Sequence, residues 1–323
     1  MRSEIHIASH RVDYRIALIT LDAHAAGPCD RAASSLAAEF PGLSVEVHAA
    51  AEWGENPNAL NSARAAILSA DIIIINLLFL EEHVQAIIPQ LNERRDNCDA
   101  MIGVISDASI VKLTRMGSLD MTVPQSNVMT LLKRLRGSTK PSTETGQKKM
   151  RMLRRLPKIL KYIPGKAQDM RAWFMVMQYW LAGSDDNVEA MLRLLLSRYC
   201  RIENWRGGHV PAPIEYPDVG IYHPDIKGCI TTDIKKLPAK VKAKCTVGVL
   251  LMRSYVLSSD TAHYDAVIRS FEARGIKVIP AYAGGLDGRP AIEAFFTQNG
   301  EVKIDALVSL TGFSLVGGPA YND

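Results

Sequence analysis

The sequence predicts an α/β protein with two parallel sheets, and two observations lead to that prediction. First, short apolar runs rich in Val, Ile and Leu alternate with stretches of helical spacing at both ends of the chain. Second, the run DIIIINLL (Asp71–Leu78) is apolar on both faces, which is typical of a central parallel strand covered by helices on both sides. We therefore expect an N-terminal doubly wound parallel-sheet domain, a helical insert, and the beginning of a second, Rossmann-like α/β module.

Residues 1–132 carry the pattern of the N-terminal domain, with strands and helices in alternation. The predicted strands are Arg15–Leu21, Ser44–Ala49, Asp71–Leu78 and Ala100–Ser106. The predicted helices are Asp30–Glu39, Asn58–Ser69 and Glu82–Arg94.

Residues 133–205 are predicted to form a basic loop followed by the helical insert. Lys133–Lys166 holds twelve Lys and Arg against one acid, Glu144. Its basic amphipathic stretch fits either a membrane-surface or acidic-protein contact, or a solvated face on a core-packed helix, and the last is favoured.

Asp169–Arg201 has the spacing of two helices. Its aromatic face suggests either porphyrin stacking or packing, and packing is the favoured interpretation. That face comprises Trp173, Phe174, Met177, Trp180 and Leu181.

Residues 206–240 are rich in Pro and Gly and are predicted to be an extended, irregular connection between domains. This segment holds several side chains suited to ligand contact, although their spacing singles out no catalytic pair. They are His209, Tyr216, Asp218, Tyr222, His223 and Asp225.

Residues 241–323 are predicted to begin the second module. The predicted strands are Val247–Met252, Lys277–Tyr282 and Asp305–Leu310, and the helices are Ala262–Ala273 and Pro290–Gln298. Three strands in about eighty residues, with no helix after the last, are few for a covered parallel sheet. We therefore expect this module to be incomplete and the chain to be the N-terminal part of a longer polypeptide.

Acidic and imidazole side chains follow the predicted strands of the first domain. Asp22 and His24 follow the first strand, Glu81 follows the third, and Asp107 follows the fourth. Carboxylates at one sheet edge suit Mg²⁺, so these four residues are a candidate metal site. The alternative, which is favoured for each residue alone, is that Glu81 stabilises the N-terminus of one helix and that Ser106 or Asp107 caps the next one.

Long motifs in matching order resemble one family across nearly the whole chain. They are LDAHAAGPCDRA, INLLFLEEHVQAIIP, MRAWFMVMQYWLAGSDDNVEAMLRLLLSRY, PIEYPDVGIYHPD, RSYVLSSDTAHYDAVI, IPAYAGGLDG and SLTGFSLVGGP. They resemble the large chelatase subunits, a family that includes the H subunit of magnesium chelatase and the large subunit of cobalt chelatase. The first four motifs resemble the magnesium chelatase H subunit, with the first two favouring magnesium over cobalt, and the last three resemble the start of the module that both subunits share. The resemblance implies an enzyme subunit that binds protoporphyrin IX and inserts Mg²⁺ for chlorophyll or bacteriochlorophyll synthesis.

The same resemblance implies partners. ATP would be hydrolysed on a ring-forming AAA+ motor subunit that acts with a bridging subunit, and this chain indeed contains no GxxxxGK[ST] loop. The family's metal-insertion residues would follow residue 323, so we expect the chain alone to be inactive. Alternatives are a cobalt chelatase subunit, or a non-catalytic module that binds porphyrin or docks partners.

Four residues of the second module are candidate porphyrin contacts: Arg253, His263, Tyr264 and Thr311. Arg253 has the two-pronged donor geometry that suits a propionate carboxylate. The alternative, which is favoured, is that Arg253 pairs with Asp260 or Asp265 while His263 and Tyr264 pack their helix.

Composition excludes several other classes of protein. No run of eighteen apolar residues occurs, and the N-terminal stretch has no apolar core of a signal peptide. Five cysteines without a CxxC pair argue against a disulfide framework or a zinc finger. A net charge of +4, with few aromatics among the basic residues, does not favour nucleic acid. We expect a cytoplasmic protein, with a peripheral contact at the photosynthetic membrane as a further prediction.

Overall fold

The computed structural model describes residues 13–21, 23–123, 157, 160–202, 208–238, 243–285 and 287–316. The chain divides into two compact units, residues 1–214 and residues 215–323. Most of the basic stretch Lys133–Lys166, with its alternative contacts to a membrane or an acidic protein, lies outside the described residues. No helix in the described part of the chain is long and apolar enough to cross a membrane.

The first unit is built on a six-stranded sheet in the order β2-β1-β3-β4-β5-β6. Its first four strands are parallel, and β5 and β6 extend the edge as an antiparallel hairpin. The strands are β1 (Tyr14–Thr20), β2 (Leu43–Ala49), β3 (Ile72–Asn76), β4 (Ala100–Val104), β5 (Arg115–Met116) and β6 (Leu119–Asp120). The helices are α1 (Ala26–Leu36), α2 (Pro57–Ser69), α3 (Glu81–Arg94), α4 (Ala108–Lys112), α5 (Lys166–Ala182) and α6 (Asp185–Tyr199), with short 3-10 turns at Ala23–Ala25 and Ala50–Glu52.

Alternation along the central strands separates two cores. Ile72 and Ile74 point into the core that contains α1, α5 and α6, whereas Ile73 and Ile75 point into the core under α2 and α3. All four isoleucines are fully buried, as a strand covered on both faces requires. The predicted doubly wound parallel sheet is confirmed, with strand ends that differ from the predicted ones by one or two residues.

Helices α5 and α6, predicted as an insert, form part of the core on one face of this sheet. The packing interpretation of the aromatic face is confirmed for Phe174 and Trp180, which are buried, and for Trp173, whose indole N–H donates to the carbonyl of Gly103 at 3.0 Å. Leu181 differs from the prediction because it is exposed.

The second unit contains a five-stranded sheet in the order β13-β9-β10-β7-β8 and a small two-stranded sheet, β11-β12. The strands are β7 (Val219–Tyr222), β8 (Ile230–Thr231), β9 (Thr246–Met252), β10 (Lys277–Ala283), β11 (Thr297–Gln298), β12 (Glu301–Val302) and β13 (Ala306–Ser309). The helical segments are α7 (Arg253–Leu257), α8 (Ala262–Glu272) and α9 (Arg289–Ala291), with a 3-10 turn at Ile234–Lys236 and a π-helical turn at Ile292–Phe296.

The predicted irregular connection differs from the structure, because part of it belongs to this second sheet. Val219–Tyr222 pairs antiparallel with β10, and Ile230–Thr231 pairs antiparallel with β7. The three parallel strands β13, β9 and β10 agree with the prediction, so the two additional strands give this module more sheet than the sequence indicates. The run VGIY is short and has prolines on both sides, which argue against a strand, so the sequence pattern does not indicate one here.

Candidate functional site

The carboxyl ends of β9, β10 and β13 form one edge of the second sheet, and the predicted porphyrin contacts lie along it. Arg253 follows β9 directly and is half-buried. Its Nε donates to the carbonyl of Pro217 at 3.0 Å, and its Nη2 donates to the carbonyl of Tyr216 at 3.2 Å. Arg253 therefore anchors the segment that leads into β7, a role that neither predicted alternative named.

Tyr264 and His263 open α8 beside the end of β9. The Tyr264 ring is buried, and its hydroxyl oxygen accepts the backbone N–H of Met252 at 3.1 Å. His263 is exposed, with its ring edge-on to the ring of Tyr255 at 5.5 Å between centroids. The packing interpretation holds for Tyr264, because its side chain ties α8 to the end of β9. His263 is the accessible member of this pair.

Thr311 lies elsewhere on the same edge, in a small cleft at the ends of β9 and β10. Its Oγ1 is 2.9 Å from the Oγ of Ser309 and accepts the N–H of Phe313 at 3.3 Å. The cleft has a volume of about 10 Å³, enough for a single water molecule. Pockets that bind drug-sized ligands have volumes of roughly 300–1,000 Å³, so the cleft as it stands does not accommodate a tetrapyrrole.

Tyr282 near the end of β10 contributes a further hydroxyl at the strand ends of the second sheet. The side chain is fully buried, and its Oη has no hydrogen-bond partner among the described residues. A Cβ at the facing residue Gly220 would lie 2.5 Å from this oxygen, so the strand pair needs glycine there. Burial raises the pKa of Tyr282 to about 12, with Arg253 opposing the shift. The phenol is therefore neutral at physiological pH, and the positive charge of Arg253 partly opposes the rise in its pKa.

A larger cleft of about 240 Å³ lies at the opposite edge, beside the first residues of β10. His223 lines it, 1% exposed, with Nε2 3.1 Å from Glu272 Oε1. The Nδ1 atom accepts the N–H of Asp225 at 3.1 Å, which assigns the ring proton to Nε2. Both ring nitrogens are engaged by the protein. The sequence named His223 and Asp225 as ligand candidates but gave no signal for Glu272, which lies forty-nine residues away.

The predicted metal residues of the first unit are only partly described. Asp22 lies outside the described residues. Glu81 is exposed in the first turn of α3. Asp107 caps α4, where its Oδ1 accepts the N–H of Ser109 at 2.8 Å and the hydroxyl of Ser109 at 2.6 Å. These bonds lower the pKa of Asp107 and confirm the helix-capping interpretation for that residue.

No group of three or more His, Cys, Asp or Glu with an arrangement that could hold a metal ion occurs within the described residues. His24 lies in the 3-10 turn that precedes α1 and is half-buried. The metal site at Asp22, His24, Glu81 and Asp107 therefore stays a prediction.

Two family models match the chain in succession. Residues 15–174 match a domain of unknown function, DUF3479, and residues 177–323 match the CobN/magnesium chelatase family. Over all 323 residues the chain is 59% identical to the magnesium-chelatase H subunit of Cereibacter sphaeroides. The part of the chain from residue 177 to residue 323 thus matches the CobN/magnesium chelatase family. This agrees with the motifs that run along the sequence.

Two other relatives differ in their identity to the chain or in the share of it that they match. The chain is 58% identical over 310 residues to the magnesium-chelatase H subunit of Rhodobacter capsulatus. It is 33% identical over 276 residues, 80% of its length, to the chloroplastic magnesium-chelatase subunit ChlH of Oryza sativa. The chain spans 27%, 26% and 20% of the lengths of these three relatives, in the order given.

A solved structure is similar over most of the chain. The catalytic subunit of cobaltochelatase from Mycobacterium tuberculosis aligns with 92% of the chain and 18% of its own length, at 13% identity and a TM-score of 0.45. This likeness is too low to carry a function to the chain.

Proposed function

We propose that this chain forms part of a magnesium chelatase H subunit, which binds protoporphyrin IX while Mg²⁺ is inserted for chlorophyll or bacteriochlorophyll synthesis. The observation that carries the proposal is the 59% identity over all 323 residues to the magnesium-chelatase protein of Cereibacter sphaeroides. The relatives named as magnesium-chelatase subunits favour magnesium over cobalt as the metal substrate. Mg²⁺ and the porphyrin are substrates in this proposal.

The chain contributes binding or positioning in this proposal. Magnesium insertion needs a base beside the macrocycle to remove pyrrole protons, together with an apolar slot for the rings. The cleft at the strand ends of the second unit is far smaller than such a slot. His223, the fully buried imidazole, has both nitrogens engaged. We therefore expect residues 1–323 not to insert magnesium on their own.

Porphyrin contact is proposed at the carboxyl edge of the second sheet, where ligands of α/β proteins commonly bind. Arg253 supplies a cation, and His263 and Thr311 supply polar groups along the edge. Tyr264 supports this edge through its bond to Met252. The proposed partners are a motor subunit that hydrolyses ATP and a bridging subunit. A cytoplasmic location and a peripheral membrane contact of the basic segment also stay predictions.

The test is a chimera of the Cereibacter sphaeroides protein in which these 323 residues replace the matching ones. The chimera is mixed with the motor and bridging subunits, Mg²⁺, ATP and protoporphyrin IX, and Mg-porphyrin formation is followed by fluorescence. We expect formation at a rate close to that of the parent protein, and none from the 323-residue chain alone. A folded chimera without activity, or one that prefers Co²⁺ and a corrin precursor, would overturn the proposal.

A further inference from the structure

The larger cleft of the second unit, about 240 Å³ beside the start of β10, has an apolar wall. The apolar residues that line it are Leu237, Pro238, Ala273, Ile276 and Val278. His223 also lines the cleft, but both of its ring nitrogens are engaged by the protein. An apolar cavity of roughly 150 Å³ is large enough to bind benzene. The cleft therefore has room for one aliphatic or aromatic side chain.

One acidic residue, Glu272, occurs among the described residues that line the cleft, and its carboxylate already faces two nitrogen donors. Its Oε1 lies 3.1 Å from His223 Nε2, and its Oε2 accepts from Arg269 at 3.1 Å. The Glu272 side chain is only 12% exposed. Because the carboxylate is held inside the protein and paired with a cation, it adds little negative charge at the mouth of the cleft.

Five exposed cations form a basic rim around this cleft. They are Lys235, Lys236, Lys244, Arg274 and Lys277. Lys277 lines the cleft, and Lys236 and Arg274 directly adjoin lining residues in the sequence. The backbone N–H of Lys244 donates to the carbonyl of Gly275, another lining residue, at 3.1 Å. Within the described part of the chain none of the five forms an ion pair, and Asp233 is the exposed acid beside them. The rim is therefore positive, although the whole chain has a formal charge of only +4.

We propose that the cleft and its basic rim dock an acidic segment of a partner protein, with one apolar side chain of that segment in the cleft. An apolar anchor in a pocket surrounded by complementary charge is the usual plan of a protein interface. Nucleic acid fits less well, because none of the described lining residues is Phe, Tyr or Trp, on which a base stacks. A membrane also fits less well, because the apolar side chains are recessed, with Leu237 9% and Val278 5% exposed. The site lies at the edge opposite the proposed porphyrin contacts and does not depend on the proposed function.

The test measures binding of two fluorescein-labelled peptides to the 323-residue chain by fluorescence polarisation. The peptide EEDELEDEE carries one leucine among acidic residues, and its matched control EEDESEDEE has serine in place of the leucine. We expect the leucine peptide to bind about tenfold or more tightly, because only its leucine is buried in the cleft. Both affinities should fall as the salt concentration rises, because salt screens the charges of the exposed rim.

Variants then assign the binding to the cleft and to its rim separately. We expect Lys236→Glu and Lys277→Glu each to weaken both peptides by about threefold to tenfold, because each places a like charge on the rim. Ala273→Phe, at an exposed position of the lining, should fill the cleft and abolish the preference for the leucine peptide without changing the charge. Lys112→Glu is the matched control, since it makes the same change of charge at an exposed lysine of α4 in the first unit. It should change neither affinity.

Four results would overturn the proposal. The leucine peptide could fail to bind, or both peptides could bind equally, which would show only unspecific attraction between charges. The preference for the leucine peptide could survive in Ala273→Phe, which would place the leucine outside the cleft. Finally, vesicles of phosphatidylcholine and phosphatidylserine could bind the chain more tightly than the peptide and lose that binding in Lys277→Glu, which would make a membrane the occupant of this site.

Discussion

His223 and Glu272 join two elements of the second unit through a buried contact of 3.1 Å between Nε2 and Oε1. The imidazole follows β7, and the carboxylate is the last residue of α8. Glu272 Oε2 also accepts from Arg269 at 3.1 Å, and Arg269 binds both carboxylate oxygens of Asp225. The contact lies away from the carboxyl strand ends and both ring nitrogens are used, so its role is to hold β7 against α8.

We expect His223→Ala to lower the free energy of unfolding by about 2–3 kcal/mol, because it removes a buried ring and leaves the Glu272 carboxylate without that donor. Urea denaturation of the 323-residue chain measures the change. His209→Ala is the matched control, since His209 is exposed and should change stability by less than about 0.5 kcal/mol. Equal effects of the two substitutions would contradict the structural role of His223.

Asp169 connects three parts of the first unit and should make its stability depend on pH. Its Oδ2 accepts the N–H and hydroxyl of Ser118, at 2.8 and 2.7 Å, and its Oδ1 accepts the hydroxyl of Tyr199 at 2.9 Å. Burial alone would raise the pKa of Asp169, but these bonds and one from Arg198 outweigh it, so the pKa lies below its usual value. The folded state therefore favours the charged carboxylate more than the unfolded state does.

Because the folded pKa is depressed, the stabilisation is present above the unfolded pKa of about 4 and is lost as the pH falls through the folded value. We expect the parent chain to lose more unfolding free energy between neutral and acidic pH than Asp169→Asn does. Denaturation at several pH values measures this difference. Asp30→Asn, at an exposed position of α1, should keep the parent's pH dependence. A pH profile unchanged by Asp169→Asn would refute the assignment.

Tyr282 and Tyr222 form a contrasting pair of buried phenols. The Tyr282 hydroxyl has no hydrogen-bond partner among the described residues, whereas that of Tyr222 contacts Asp265 at 2.6 Å and Thr261 at 2.9 Å. Removing an unpaired buried hydroxyl relieves a desolvation cost. Removing a paired hydroxyl leaves its hydrogen-bond partners without a bond. We expect Tyr282→Phe to leave the unfolding free energy unchanged or to raise it by up to about 1 kcal/mol, and Tyr222→Phe to lower it by about 1–2 kcal/mol. Similar losses from both changes, measured by urea denaturation, would show that Tyr282 has a partner.

The central strands could be predicted because consecutive apolar residues within each strand indicate that it is buried. Ile72–Asn76 is apolar at successive positions, and a strand buried on both faces needs that pattern. The sequence offers Ser106 or Asp107 as a helix cap, and the cap is Asp107, whose partner Ser109 is two residues away. Both features depend on neighbours within a single element or turn.

Other features depend on contacts between residues that are far apart in the sequence. The spacing of residue types along the chain does not indicate such contacts. Glu272 meets His223 across forty-nine residues, and Asp169 meets Ser118 across fifty-one. The strand Val219–Tyr222 has only four residues beside prolines, so its pattern resembles a loop until β10 supplies its hydrogen bonds. Arg253 binds backbone carbonyls, which are present in every residue and leave no signature in the sequence.

Arg253 provides a direct test of porphyrin binding at the carboxyl edge of the second sheet. Its guanidinium is half-buried beside the segment before β7, and a propionate would pair with it through a charge-assisted hydrogen bond. We expect Arg253→Gln to weaken protoporphyrin IX binding by the 323-residue chain about tenfold or more, as measured by quenching of tryptophan fluorescence. Protoporphyrin dimethyl ester lacks the carboxylates, so its affinity should be the same for the variant and the parent.

The ester comparison separates a ligand contact from a structural one. If Arg253 only anchored the carbonyls of Tyr216 and Pro217, its loss would disturb both porphyrins alike. Arg274→Gln is the matched control, since Arg274 is exposed and bonds only to the nearby Ser270 carbonyl among the contacts described for it. It should leave both affinities unchanged, because Arg274 lies near the start of β10, at the opposite edge of the sheet. If Arg253→Gln weakens binding of the acid and of the ester by the same factor, Arg253 does not contact a propionate. Its role would then be limited to anchoring the carbonyls of Tyr216 and Pro217.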